Sequence, residues 1–284
     1  MFLKDCHVHI VGLGLMGASL AMALRGKVAH LSGSDLRLEV EHSALADGVV
    51  HEICPSAQAD LVVVAVPADY IGAVIQRLEL KPGTVVMDLG STKTQICNVM
   101  DALPETVQAV GGHPMCGLAE NGYHNAIPTL YAGARFILCE TQRTGDTARM
   151  VCEQVVATVG AYPIWMDRQR HDQLAGAISH LPHLMSFALM RLAMEMAEND
   201  HDVWELAAGG FDGATRLART DEAMITGMFR TNADQLRKLV SLLQEHMNRL
   251  IALLDEPEQL RAELTAIVNA RRDYTQHYGE RMIT

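Results

Sequence analysis

The chain has 284 residues, 49% of them hydrophobic, enough to bury a full core and to build two domains of ordinary size. Its 34 acidic residues outnumber 23 basic ones for a formal charge of −11, with no long run of either sign, so the surface repels nucleic acid and anionic membrane. A small molecule is the expected partner, with no nucleic acid and no membrane. Cys6, Cys54, Cys97, Cys116, Cys139 and Cys152 lack CxxC or zinc-type spacing, as in a reducing compartment. No leader-like segment opens the chain and no run approaches the roughly 20 apolar residues that span a bilayer, so the expected location is the cytoplasm.

In chain order, short β-branched runs at 8–11, 29–32, 61–66, 85–89, 108–111, 136–138 and 162–164 alternate with segments of helical period. This alternation predicts a parallel sheet with crossover helices, a Rossmann-type dinucleotide-binding domain over 1–166. The first run leads into Gly12-Leu13-Gly14-Leu15-Met16-Gly17 and then an apolar helix over 18–24. In that frame Gly12 permits a tight turn, Gly14 lets backbone N–H groups approach a pyrophosphate, and Gly17 lets helix pack against strand. Asp35 ends the second run, where a carboxylate would accept hydrogen bonds from the adenosine ribose and repel a 2′-phosphate. The alternative for Asp35 is a turn or helix-cap aspartate. NAD is the expected cofactor, with NADP left open by the flanking Ser34 and Arg37, and Val66-Pro67 adds backbone contact from the third run.

Asp88-Leu89-Gly90-Ser91-Thr92-Lys93 ends the fourth run and Gly112-His113-Pro114 follows the fifth, so both are expected at the carboxyl edge of the sheet, where ligands of such sheets bind. Taken singly, Ser91 reads as a helix cap and His113 as a loop residue before proline. After Asp167 the strand signal stops, and helical patterns over 172–198, 202–208, 221–254 and 257–278 predict an all-helical domain over 167–284. The third of these is apolar around most of its circumference, which implies either a second subunit or enclosure by its own neighbours. His171-Asp172 reads as a helix-start pair with a structural role. His180 and His183 share one helix face without a third ligand at suitable spacing, so no metal is expected.

The glycine loop, Asp88-x-x-Ser91-x-Lys93, Gly112-His113-Pro114-Met115-x-Gly117, Ser179-His180-Leu181-Pro182-His183 and Thr215-Arg216-Leu217-Ala218 occur in the order and spacing of the prephenate/arogenate dehydrogenase family, which the chain resembles over nearly its whole length. The resemblance implies oxidative decarboxylation of prephenate in tyrosine biosynthesis, with arogenate as the alternative substrate, in a homodimer formed through the helical domain. It implies His113 as base, Ser91 as a partner for the same hydroxyl, and Ser179, His180, His183 and Arg216 on the substrate side. Ala119, Gly213 and Ile225 depart from residues common in the family. Two more distant readings are a β-hydroxyacid dehydrogenase, which shares mainly the glycine loop, and a non-catalytic dinucleotide sensor.

Overall fold

Leu61–Val64 reads Leu-Val-Val-Val and is buried at every position, the pattern of a strand covered on both faces. It is the fourth of eight strands: β1 His7–Val11, β2 His30–Ser34, β3 Glu52–Ile53, β4 Leu61–Val64, β5 Val85–Asp88, β6 Gln108–Pro114, β7 Arg135–Glu140 and β8 Tyr162–Trp165. The computed structural model describes residues 1–118 and 120–279. The strands form one sheet in the order β3-β2-β1-β4-β5-β6-β7-β8. The chain leaves β1 toward β2 on one side and returns to β4 on the other, which makes the carboxyl ends of β1 and β4 the topological switch point. Crossover helices α1 Leu15–Leu24, α2 Leu38–Ala46, α3 Ala68–Ile75, α4 Thr94–Asp101 and α5 Asp146–Thr158 cover the faces.

Three features of the sheet depart from expectation. The two-residue β3 was not foreseen. β7 runs antiparallel to β6, so the sheet is not purely parallel. β6 continues past its predicted end, and His113 lies inside the strand opposite Ile137 rather than after it. Ladder pairing with β5 stops at Met87 and Val110, so residues 112–114 run past the last residue of β5, Asp88, with β7 as their strand partner among the described residues.

The helical part contains α6 Arg168–Ala175, a π-turn Gly176–His180, α7 Leu181–Ala197, α8 Asp202–Glu205, α9 Gly209–Thr215, a 3₁₀ turn Arg216–Arg219, α10 Glu222–Thr231, α11 Ala233–Ala252 and α12 Pro257–Tyr278. Pro182 has no N–H to donate to the Ile178 carbonyl, and the helix loosens there into wider π hydrogen bonding. The helix expected over 221–254 breaks at Asn232, and α9 was not foreseen. By its contacts the chain divides into Met1–Ala233 and Asp234–Thr284. Within the second unit Arg249 pairs with Glu263 at 3.4 Å, while Leu242, Met247, Ile251, Leu254, Leu264 and Ile267 are exposed. Among the described residues no helix is long and apolar enough to cross a membrane.

Inside the sheet, His9 is 1% exposed, with Nδ1 2.9 Å from the Ser32 hydroxyl and Nε2 3.2 Å from that of Ser34, and burial pushes its pKa down to about 4. Because the folded value lies below the ordinary 6.5, the unfolded chain takes up the proton first as pH falls. The share of stability that depends on this ring is therefore full above about pH 6.5 and declines toward pH 4. At pH 5 this one group costs about 2 kcal/mol. His9→Asn is expected to remove that amount from the difference between urea unfolding free energies at pH 7 and pH 5.

Candidate active site

Gly12 takes φ +92°, and a Cβ there would stand 2.6 Å from the Ala65 carbonyl oxygen and 2.9 Å from Val66 Cγ1. The first loop thus lies directly against Ala65 and Val66, the segment after β4, with Pro67 the next residue along the chain. Leu13 and Leu15 point into the core at 0% and 5% exposure, which leaves only their backbone for a ligand. Tyr131 donates its hydroxyl to the Met16 carbonyl at 2.6 Å, pinning the loop from behind. The N-cap of α1 is Gly14, which has no side chain to cap the helix, its first turn holds no acidic residue, and among the described residues nothing lies within 4 Å of a Cβ added to Gly14. These are the properties a pyrophosphate requires. Asp35 accepts from Leu13 N at 2.8 Å and Arg37 N at 3.0 Å, so it braces the glycine loop itself.

Where β6 outruns β5, side chains complete its hydrogen bonding. Asp88 Oδ1 accepts from Gly112 N at 3.0 Å, and Lys93 Nζ donates to the Gly112 carbonyl at 2.6 Å while pairing with Asp88 Oδ2. Gly90 N also donates to Oδ2 at 2.8 Å. Both charged side chains are wholly buried. Burial pushes the Asp88 carboxyl upward against the pull of Lys93 and the two backbone N–H groups. Glycine is needed at 112, since a Cβ would come within 2.4 Å of the Asp88 carbonyl oxygen. The ion pair therefore acts as a substitute strand that holds the His113 backbone beyond the sheet edge.

His113 Nδ1 lies 2.8 Å from His171 Nε2, and His171 Nδ1 lies 2.8 Å from Asp172 Oδ1. His171-Asp172 is no helix-start pair: Asp167 caps α6, accepting from Gln169 N and Arg170 N, and the pair is buried one turn later. Asp172 also accepts from Lys93 N at 2.7 Å and Thr94 N at 2.8 Å, tying α6 to the loop that carries Ser91. Burial works against the Asp172 carboxylate, but hydrogen bonds from His171, Thr94 and Lys93 outweigh it and hold its pKa below the ordinary value. Burial, followed by the proximity of His171, Lys93 and His180, pushes the His113 pKa well below 6.5, so its ring is neutral at pH 7.

Asn232, the residue that breaks the predicted long helix, donates from Nδ2 to the Asp172 carbonyl at 2.8 Å and to His180 Nδ1 at 3.0 Å. With Nδ1 accepting, the His180 proton resides on Nε2, which is buried facing the Ser91 backbone without a hydrogen bond among the described residues. Burial brings the His180 pKa down to about 4. On the other side Thr92 donates to the Thr231 hydroxyl at 2.8 Å. Half-buried Ser91 is thus fixed by its neighbours in sequence and space.

The remaining expected site residues form a second group. His183 Nδ1 donates to the Ser179 carbonyl at 2.9 Å, and Arg216 lies near enough for its charge to oppose protonation of His183. Arg216 also lines a cavity of about 730 Å³ with Trp204, Phe211 and Gly213, where nothing lies within 4 Å of a Cβ added to Gly213. Ile225 is buried in α10, and Ala119 lies outside the described residues. Burial pushes the Cys116 thiol, three residues after His113, up to about 12, which favours its neutral thiol form. His171, Asp172 and Asn232 are the additions that sequence reasoning missed.

Residues 20–164 match the prephenate dehydrogenase nucleotide-binding domain, and residues 167–269 match the prephenate dehydrogenase dimerization domain. The prephenate dehydrogenase of Lactococcus lactis is 31% identical over 256 residues, covering 86% of this chain and 70% of that protein. That of Bacillus subtilis is 30% identical, covering 82% and 66%. Among solved structures, prephenate dehydrogenase from Aquifex aeolicus, crystallised with hydroxyphenyl propionate and NAD+, superposes with a TM-score of 0.88 at 28% identity, over 94% of this chain and 97% of that one. Synechocystis arogenate dehydrogenase gives 0.80 at 27% identity, over 94% and 99%. With both domains matched, the chain belongs to the prephenate dehydrogenase family.

Proposed function

We propose that the protein is an NAD-dependent dehydrogenase that converts prephenate to 4-hydroxyphenylpyruvate and CO2. One observation carries the reading: a neutral imidazole, His113, is held past the carboxyl edge of the sheet with Nδ1 already engaged, leaving Nε2 for a substrate hydroxyl. The open N-terminus of α1 would hold the pyrophosphate, Asp35 the ribose, and Val66-Pro67 the backbone contact beside them. NAD, when bound, supplies the hydride acceptor.

In this reading Nε2 of His113 withdraws the alcohol proton as hydride leaves the same carbon, and Ser91 orients that hydroxyl. The ring ketone then drives loss of the quaternary carboxylate as CO2, and the ring becomes aromatic. Prephenate dianion less hydride and CO2 is the 4-hydroxyphenylpyruvate monoanion, so no proton is released overall. The proton that His113 takes must return to the phenolate oxygen, which makes His113 base and then acid. The substrate's carboxylates need local cations in an acidic protein. Arg216 supplies a planar fork for one, with Ser179 and His183 beside it and His180 steadying the Ser91 loop.

The reading includes a homodimer, supported by the dimerization domain and by the apolar side chains exposed on α11 and α12, and a cytoplasmic location, in keeping with six free cysteines. The test is to follow NADH and NADPH formation with prephenate and arogenate offered separately. NADH with prephenate is expected. NADH with arogenate alone replaces the substrate by its amino-acid counterpart, and no reduced nucleotide with either overturns the assignment.

A further inference from the structure

We propose that Asp172, His171 and His113 form a proton relay, in which the first two set the tautomer of His113 and store the charge that its ring acquires when it takes the substrate proton. This rests on His113 being the base proposed above. Two hydrogen bonds of 2.8 Å each link the three side chains and decide where each proton sits.

Asp172 accepts from Lys93 N and Thr94 N and is held in its charged form, so it can only accept from His171. His171 Nδ1 must therefore carry a proton. A neutral His171 has its lone pair on Nε2, which makes His113 Nδ1 the donor between the two rings and leaves the His113 lone pair on Nε2. The opposite arrangement, with a proton on His171 Nε2, would put the neutral His113 proton on its own Nε2 and abolish the base. The rings meet edge to face, with centroids 5.0 Å apart and planes at 74°, so the shared proton lies between two fixed lone pairs.

When His113 Nε2 binds the alcohol proton, the Nδ1 proton can pass to His171 Nε2. The positive charge then rests on His171 against the Asp172 carboxylate, and His113 is again neutral. Return of the phenolate proton reverses both transfers, so atoms and charge balance over one turnover. The charge has reason to move. Burial most strongly opposes a charge on the His113 ring, followed by nearby His171, Lys93 on the loop after β5 and His180 on the π-turn. His171 has a carboxylate in direct contact. Asp88, the other carboxylate nearby, is already neutralised by Lys93.

Two substitutions separate the parts of the relay. His171→Gln offers an amide oxygen that can still accept from His113 Nδ1–H but cannot take the proton. His171→Phe removes both capacities. ¹⁵N-histidine NMR of the unliganded wild-type protein is expected to show His113 protonated at Nδ1, and His171→Gln to retain that tautomer while kcat falls about 10²-fold with KM nearly unchanged. His171→Phe is expected to lose the single tautomer and about 10³–10⁴ in kcat, as when the orienting group of a catalytic histidine is lost. A wild-type His113 protonated at Nε2 overturns the relay even if His113 proves essential, and so does a wild-type kcat in His171→Phe. Full activity in His113→Asn would instead remove the base itself and the relay with it.

Discussion

Lys93→Met is expected to destabilise the protein by about 3–5 kcal/mol, because it strands a wholly buried carboxylate and leaves the Gly112 carbonyl without its donor. Against a usual total of about 5–15 kcal/mol, that loss is a large share of the fold. The cost is bounded by protonation: burial already drives Asp88 toward its neutral form, and without the ammonium it takes up a proton rather than remain charged. Replacing both members of a buried pair costs less than breaking it. The Asp88→Asn, Lys93→Met double variant should therefore be less destabilised than Lys93→Met alone, in spite of carrying one more substitution. Urea unfolding of wild type, single and double variants measures this. A single variant within 1 kcal/mol of wild type would show that the pair does not substitute for the missing strand.

That substitution explains what could be read from the sequence and what could not. β4 and β5 announce themselves as valine-rich runs buried at every position, and β1 through Val8 and Ile10 buried either side of His9. The glycine loop is legible for a similar reason: its spacing meets a local steric demand, visible in the contact between Gly12 and the Ala65 carbonyl. β3, only two residues long, leaves too little pattern to detect. The extension of β6 through His113 depends on β7 and on a charge pair in the preceding loop, neither of which marks the residues 111–114 themselves.

The site shows the same division. His113 and the Ser91 loop stand out through the resemblance, whereas the sequence around His171 and Asp172 carries only the pattern of a local helix start. Their partners are remote: His113 is 58 residues away and Lys93 is 79 residues from Asp172. Asn232 was hidden within a long apolar helical pattern, and the reason the helix breaks there lies in bonds to residues 60 and 52 positions earlier. No periodicity records such bonds. Histidines are especially opaque in this respect, since burial and tautomer, rather than residue type, decide whether a ring is a base, a brace or a store for charge.

His113→Asn carries the largest effect expected on activity. The asparagine is small enough for the site, leaves the Asp88–Lys93 pair in place and does not touch the glycine loop, so the fold and the nucleotide site should persist. What is lost is an acceptor able to hold a full proton between its departure from the alcohol and its return to the phenolate. Loss of a positioned base lowers turnover by about 10²–10⁴-fold. The direct measurement is kcat for prephenate oxidation by His113→Asn alongside its NAD affinity by fluorescence titration. The expected result is turnover reduced by that factor with NAD binding essentially unchanged, and turnover equal to wild type would contradict the role assigned to this imidazole.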